Sequence, residues 1–80
     1  MEFKNYTLVV RNGTGMWDAK TKVNCDEHMV RLIMEAMLRA HPKSNRGEII
    51  EGDRDYIMDF RVKPLIKFKK NEEGLIFEDN

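Results

Sequence analysis

The stretch NCDEHMVRLIMEAMLRAH, residues 24–41, reads as a helix whose apolar surface is wider than one sheet can cover. At about 100° per residue, Val30, Ile33, Met37 and Ala40 form the centre of an apolar face. Leu32, Ala36 and Met29 widen it on one flank, and Met34 and Leu38 on the other. Charge is confined to a stripe of His28, Arg31, Glu35 and Arg39. A helix on a single sheet shows an apolar arc of about 100° or a little more, whereas this one covers roughly 240° on the same wheel. The surplus needs a second cover, which is another element of the chain, a copy of it, or a partner. Asn24 and Glu27 have the spacing of a capping box, with Asn in place of Ser or Thr. Asp26 and Glu27 suit the positive end of the helix dipole, and Arg39 and His41 lie near the other end. Pro42 stops the helix, because a residue before proline is pushed out of the helical region.

Upstream of the helix the chain reads as a hairpin. Tyr6, Leu8 and Val10 make one apolar row, and Trp17, Ala19, Thr21 and Val23 make another. Asn12-Gly13-Thr14-Gly15 between them tolerates the positive φ of a tight turn. A two-residue turn at Asn12-Gly13 sets Leu8 opposite Trp17 and Tyr6 opposite Ala19, and moving it to Gly13-Thr14 keeps both rows on one face.

Downstream the chain is β again. Ile49-Ile50-Glu51 predicts a short strand turning at Gly52-Asp53. Beyond it Tyr56, Met58, Phe60, Val62, Ile66 and Phe68 share one parity, while Asp59, Arg61, Lys63, Lys67 and Lys69 share the other. Pro64 marks an edge, a bulge or a bend in this run. Asn71-Glu72-Glu73-Gly74 turns the chain into a last short strand at Leu75-Ile76-Phe77. The expected fold is α+β over a single domain, residues 1–80, with β-β-α-β-β order and an antiparallel sheet of four or five strands carrying one helix on one face. Its expected core is Tyr6, Leu8, Val10, Trp17, Val23, Val30, Ile33, Met37, Met58, Phe60, Val62 and Phe68.

Fourteen basic residues balance fourteen acidic ones, so no long-range attraction to nucleic acid or acidic membranes is built into the net charge. One cysteine excludes an intrachain disulfide. The N-terminal residues lack the basic and then apolar pattern of a signal peptide, and no apolar run approaches the ~20 residues of a membrane span. The expected location is the cytoplasm.

Chemistry-bearing residues are few. Cys25, His28 and His41 offer three candidate metal ligands, but the two histidines lie more than three helical turns apart and a structural zinc wants four ligands. Cys25 at a helix N-terminus with His28 one turn on has the outline of a nucleophile and base, without an orienting third group or an oxyanion loop. Glu48, Glu51, Asp53, Asp55 and Asp59 cluster in sequence, yet they match no Ca²⁺ loop and read more simply as a solvated hairpin tip. Asn12-Gly13-Thr14-Gly15 lacks the spacing of a phosphate loop. No catalytic residue, metal or cofactor is therefore expected, and the chain is not read as an enzyme.

Two binding surfaces remain. Leu32, Met34 and Leu38 on the helix flanks are the expected protein-binding residues, with Met29, Met34 and Met37 supplying adaptable thioethers. Arg61, Lys63, Lys67 and Lys69 form a basic strand row able to track phosphates in an alternative nucleic-acid reading. That row has no aromatic of its own for base stacking, and lysines on exposed strands also prevent edge-to-edge aggregation. The layout of hairpin, helix and further strands in 80 residues without an active-site motif resembles that of short phage-encoded proteins. Those proteins sit on a host polymerase, nuclease or defence complex and block it. The resemblance implies a non-enzymatic inhibitor or regulator that masks a protein partner, host or self, including as a homodimer.

Overall fold

A computed structural model describes residues 2–13, 17–54 and 63–79 of the chain. The described elements are β1 (Lys4–Arg11), β2 (Trp17–Cys25), α1 (Glu27–Ala40), β3 (Arg46–Glu51), β4 (Ile66–Lys70) and β5 (Ile76–Glu78). They form one five-stranded sheet in the order β2-β1-β3-β4-β5, every neighbouring pair antiparallel, with α1 on one face. Because β2 and β3 both run antiparallel to β1, they are parallel to each other, and α1 is the crossover such a pair requires. The α+β architecture is the one the sequence predicts.

The hairpin keeps the predicted parity but not the predicted register. Tyr6 lies opposite Val23, Leu8 opposite Thr21 and Val10 opposite Ala19. Five residues, 12–16, separate the last paired residues of β1 and β2, and Arg11 lies opposite Trp17. Asp18 is then the extra residue of a bulge. Since a one-residue slip transfers a side chain to the other face, Trp17 leaves the row of Ala19, Thr21 and Val23 and is exposed. Its predicted place in the core is corrected accordingly. Asp18 instead accepts from Asn12 Nδ2 at 3.2 Å and from the hydroxyl of the fully buried Ser44.

The helix is shorter than residues 24–41. Its N-cap is Asp26, whose side chain accepts from Met29 N at 2.8 Å, rather than Asn24. Pairing with β1 carries β2 as far as Cys25, so Asn24 remains in the strand and donates to Asn5 Oδ1 at 2.9 Å. At the other end Lys70 Nζ donates to the carbonyls of Leu38 and His41 at 2.7 and 3.0 Å, satisfying two acceptors of the last turn. The side facing the sheet is Val30, Met34 and Leu38, with Ile33 and Met37 packed at its margin and Ala40 exposed. This face is rotated by about 80° from the predicted centre.

Gly47 on β3 explains the rotation. A Cβ there would collide with Met34 Sδ and approach Leu38 Cδ1 to 3.3 Å, so the bare backbone is the seat on which α1 rests. Around that seat Tyr6, Leu8, Val10, Cys25, Ile49, Ile66 and Phe68 complete the main core. Thr7, Val9 and Ile50 are buried on the opposite face of the sheet. There the Thr7 hydroxyl donates to Gly52 O at 2.8 Å and accepts from Arg54 N at 2.9 Å. Gly52 turns with φ of 101° at the end of β3. A second hairpin joins β4 to β5 through Asn71, which accepts from Glu73 N and Leu75 N. The expected core residues Met58, Phe60 and Val62, and the early part of the predicted long strand, lie outside the described residues.

Gly47→Val should therefore lower stability by about 1–3 kcal/mol through overpacking, a melting temperature drop of roughly 4–8 °C per kcal/mol for a domain of this size. Adding Met34→Ala to Gly47→Val should recover part of the loss, because the two side chains compete for one space. Thermal denaturation followed by circular dichroism measures both, and an additive double variant would contradict the seat.

Candidate functional site

Of the three apolar residues predicted to bind protein, Met34 and Leu38 are fully buried against the sheet of the same subunit. They are removed from the candidate surface, because the Gly47 seat draws them inward. Leu32 stays out, 47% exposed, and Met29 beside it is 45% exposed. Ala36 and Ala40 continue the same exposed flank, with half-buried Ile33 and Met37 along its inner border.

The flank has a definite orientation. Arg31, on the other side of the helix, donates from Nε to Glu78 Oε1 on β5 at 2.6 Å. The carboxylate bond raises the guanidinium pKa further. With Arg31 tied toward β5, the Met29–Ile33 side leans toward β2. There Ala19, Thr21 and Val23 are only partly covered. Among the described strands, β2, nine residues long, stands at the edge of the sheet with β1 as its partner. An apolar shelf therefore adjoins a strand edge whose outward amides and carbonyls can take another strand.

The opposite face carries the cations. Lys67 and Lys69 project there from β4 and are exposed, as is Lys63 ahead of the strand; Arg61 lies outside the described residues. Four residues from other strands join Lys69, and the sequence reading did not place them beside it. In register across the sheet stand Trp17, Arg11, Arg46, Lys69 and Phe77, one from each strand. Trp17 and Phe77 are exposed at the two ends. This supplies the aromatics that the lysine row alone lacks. Only strand order and register bring these residues together, and neither can be read from local spacing.

The described acidic residues pair with cations rather than with one another. Glu48 pairs with Arg11 at 2.7 Å, Glu51 with Lys4 at 3.2 Å and Asp53 with Lys22 at 2.6 Å, so each pairs with a cation on β1 or β2. Asp55 and Asp59 are outside the described residues. Among the described residues no three of His, Cys, Asp and Glu are placed to hold a metal ion. Likewise no helix of the described residues is long and apolar enough to cross a membrane.

Cys25 is buried at the end of β2, and burial, helped by the charge of Asp26, pushes its thiol pKa up. That is opposite to the depression which arms a nucleophilic thiol. His28 is exposed on the first turn of α1. Burial likewise raises the Tyr6 phenol. Both groups hold their protons longer in the folded chain than in the unfolded one. Their stabilising contribution is therefore complete below their ordinary values of 9.0 and 10.0 and is lost as pH climbs beyond them. Melting temperature should fall across that alkaline range, with a shallower decline in Tyr6→Phe. The native thiol should react with a disulfide reagent at least about tenfold more slowly than the unfolded chain. Fast labelling of the native chain would show an accessible Cys25.

No family model, no curated protein and no solved structure matches this chain.

Proposed function

We propose that the chain is a small non-enzymatic protein-binding module, a masking inhibitor or regulator of the kind its layout resembles. The supporting observation is the exposed apolar flank of α1 beside the outer edge of β2. Met29 and Leu32 are long side chains left nearly half exposed on a helix whose Val30, Met34 and Leu38 are buried. Scattered apolar residues on a surface need no explanation, but these two share their flank with Ala36 and half-buried Ile33, on the side of the partly covered row of Ala19, Thr21 and Val23. A partner strand added to β2 would gain main-chain hydrogen bonds, and its side chains would close over the shelf. Both contributions are needed, because a specific interface buries about 800 Å² on each partner. The helix flank alone is smaller than that. A second copy of the chain satisfies the same geometry through an isologous contact.

Leu32→Glu and Met29→Glu should each change stability by no more than about 0.5 kcal/mol, since neither side chain is in the core. Both should abolish association. A photoreactive residue at position 32, in tagged chain expressed in its own host, should crosslink to one discrete protein, either itself or a partner. The same group at Lys43, on the exposed connection after the helix, should not. A monodisperse monomer in light scattering, together with no discrete crosslink from position 32, would overturn the reading.

A further inference from the structure

A transverse row of residues crosses the face away from α1, apart from the helix flank. Directly paired residues of antiparallel strands share a face. Trp17, Arg11, Arg46, Lys69 and Phe77 therefore project together. At about 4.8 Å per strand the row spans roughly 19 Å. Its middle is anomalous for a structural surface. Arg46 lies opposite Arg11 on one side and opposite Lys69 on the other, and like charges placed directly opposite destabilise a sheet. Edge protection does not account for them, because β1, β3 and β4 are interior strands.

Carboxylates offset the row only in part. Glu48 holds Arg11, which is mostly buried and serves as a spacer. Asp79 lies 3.5 Å from Lys69 in an exposed pair, a kind that contributes little and exchanges readily. Arg46 has no carboxylate within 4 Å among the described residues. Beside it a groove of about 280 Å³ is lined by Arg46, Lys67 and Lys69 together with Glu48, Asp79 and Pro64, three cations against two carboxylates. At the ends of the row Trp17 is 37% exposed and Phe77 47% exposed. Lys20 Nζ lies 5.8 Å from the indole centroid and steadies the ring.

We infer that this row binds single-stranded nucleic acid. Arg46, Lys67 and Lys69 meet backbone phosphates, and unpaired bases stack on Trp17 and Phe77. A duplex fits less well, because its bases are already stacked and offer no free faces to the rings. The site shares no residue with the helix flank, and it stands or falls separately from the protein-binding reading.

Trp17 is the single tryptophan of the chain, so its emission reports on the site directly. Titration with an oligo-dT and an oligo-rU of about 12 nucleotides at low ionic strength should quench it with at least one of the two. Two or three phosphate contacts predict a slope of log K against log salt of about −1.4 to −2.1. Affinity then falls by roughly sevenfold to eighteenfold between 50 and 200 mM salt. Phe77→Ala should weaken binding by at least about fivefold, and Arg46→Ala should reduce the slope by about 0.7, with circular dichroism unchanged in both. Leu32→Glu should bind the oligonucleotide as the wild type does. The inference is overturned if neither oligonucleotide quenches Trp17, if Phe77→Ala binds normally, or if a duplex of equal length or polyglutamate binds as tightly.

Discussion

The contact between Met34 and the bare backbone of Gly47 sets the rest of the molecule. By allowing α1 to settle closely on β3, it turns Val30, Met34 and Leu38 toward the sheet. Everything else on the helix then has one place to go. Arg31 bonds to Glu78 on β5, Lys70 reaches up to close the C-terminal turn, and Met29 and Leu32 are left exposed on the opposite flank of the helix. The candidate protein-binding surface is thus a by-product of where one strand has no side chain.

The bulge at Asp18 plays the corresponding part for the other face. It lengthens β2 by one residue relative to β1, so that Trp17 faces away from the helix while Ala19 still faces it. Asp18 itself is anchored to Ser44, at the entry to β3. The irregularity that exposes the indole is therefore tied to the connection that positions Arg46. A regular hairpin would have buried Trp17 and left the row of cations with one aromatic end.

The sequence showed the elements well and their mutual placement poorly, for physical reasons that differ between them. The parity of Tyr6, Leu8 and Val10 against Ala19, Thr21 and Val23 was legible because period-two alternation survives any even change of register. The register was not, because five residues between the last paired positions permit several. The existence of α1 was legible from its long apolar pattern, but its rotation was not. With so wide an apolar arc, the wheel has no single preferred direction, and the choice fell to Gly47, a residue with no apolar signal of its own. Leu32 survived as a surface residue, whereas Met34 and Leu38 did not, and both outcomes follow from that choice. The buried Thr7 and Val9 did carry a readable sign: the unbroken run from Tyr6 to Val10 is the pattern of a strand covered on both faces.

Two proposed binding surfaces on 80 residues raise the question of whether both can be used together, and the bulge bears on it. A strand added to the outer edge of β2 needs a regular ladder of amides and carbonyls, and a bulge interrupts such a ladder. Pairing would accordingly run along residues 19–25 and stop short of Trp17. The same stretch borders Val23, Thr21 and Ala19, the part of the shelf nearest Met29 and Leu32. An occupant there lies on the helix side and along the edge, while the transverse row crosses the opposite face. A domain this small has a thin margin of stability, and ligands that bind only the folded state add to it by mass action. Apart from Lys20, which lies on the pairing stretch and against the Trp17 ring, the two surfaces use different residues, so the two occupants would each stabilise the same fold without excluding one another.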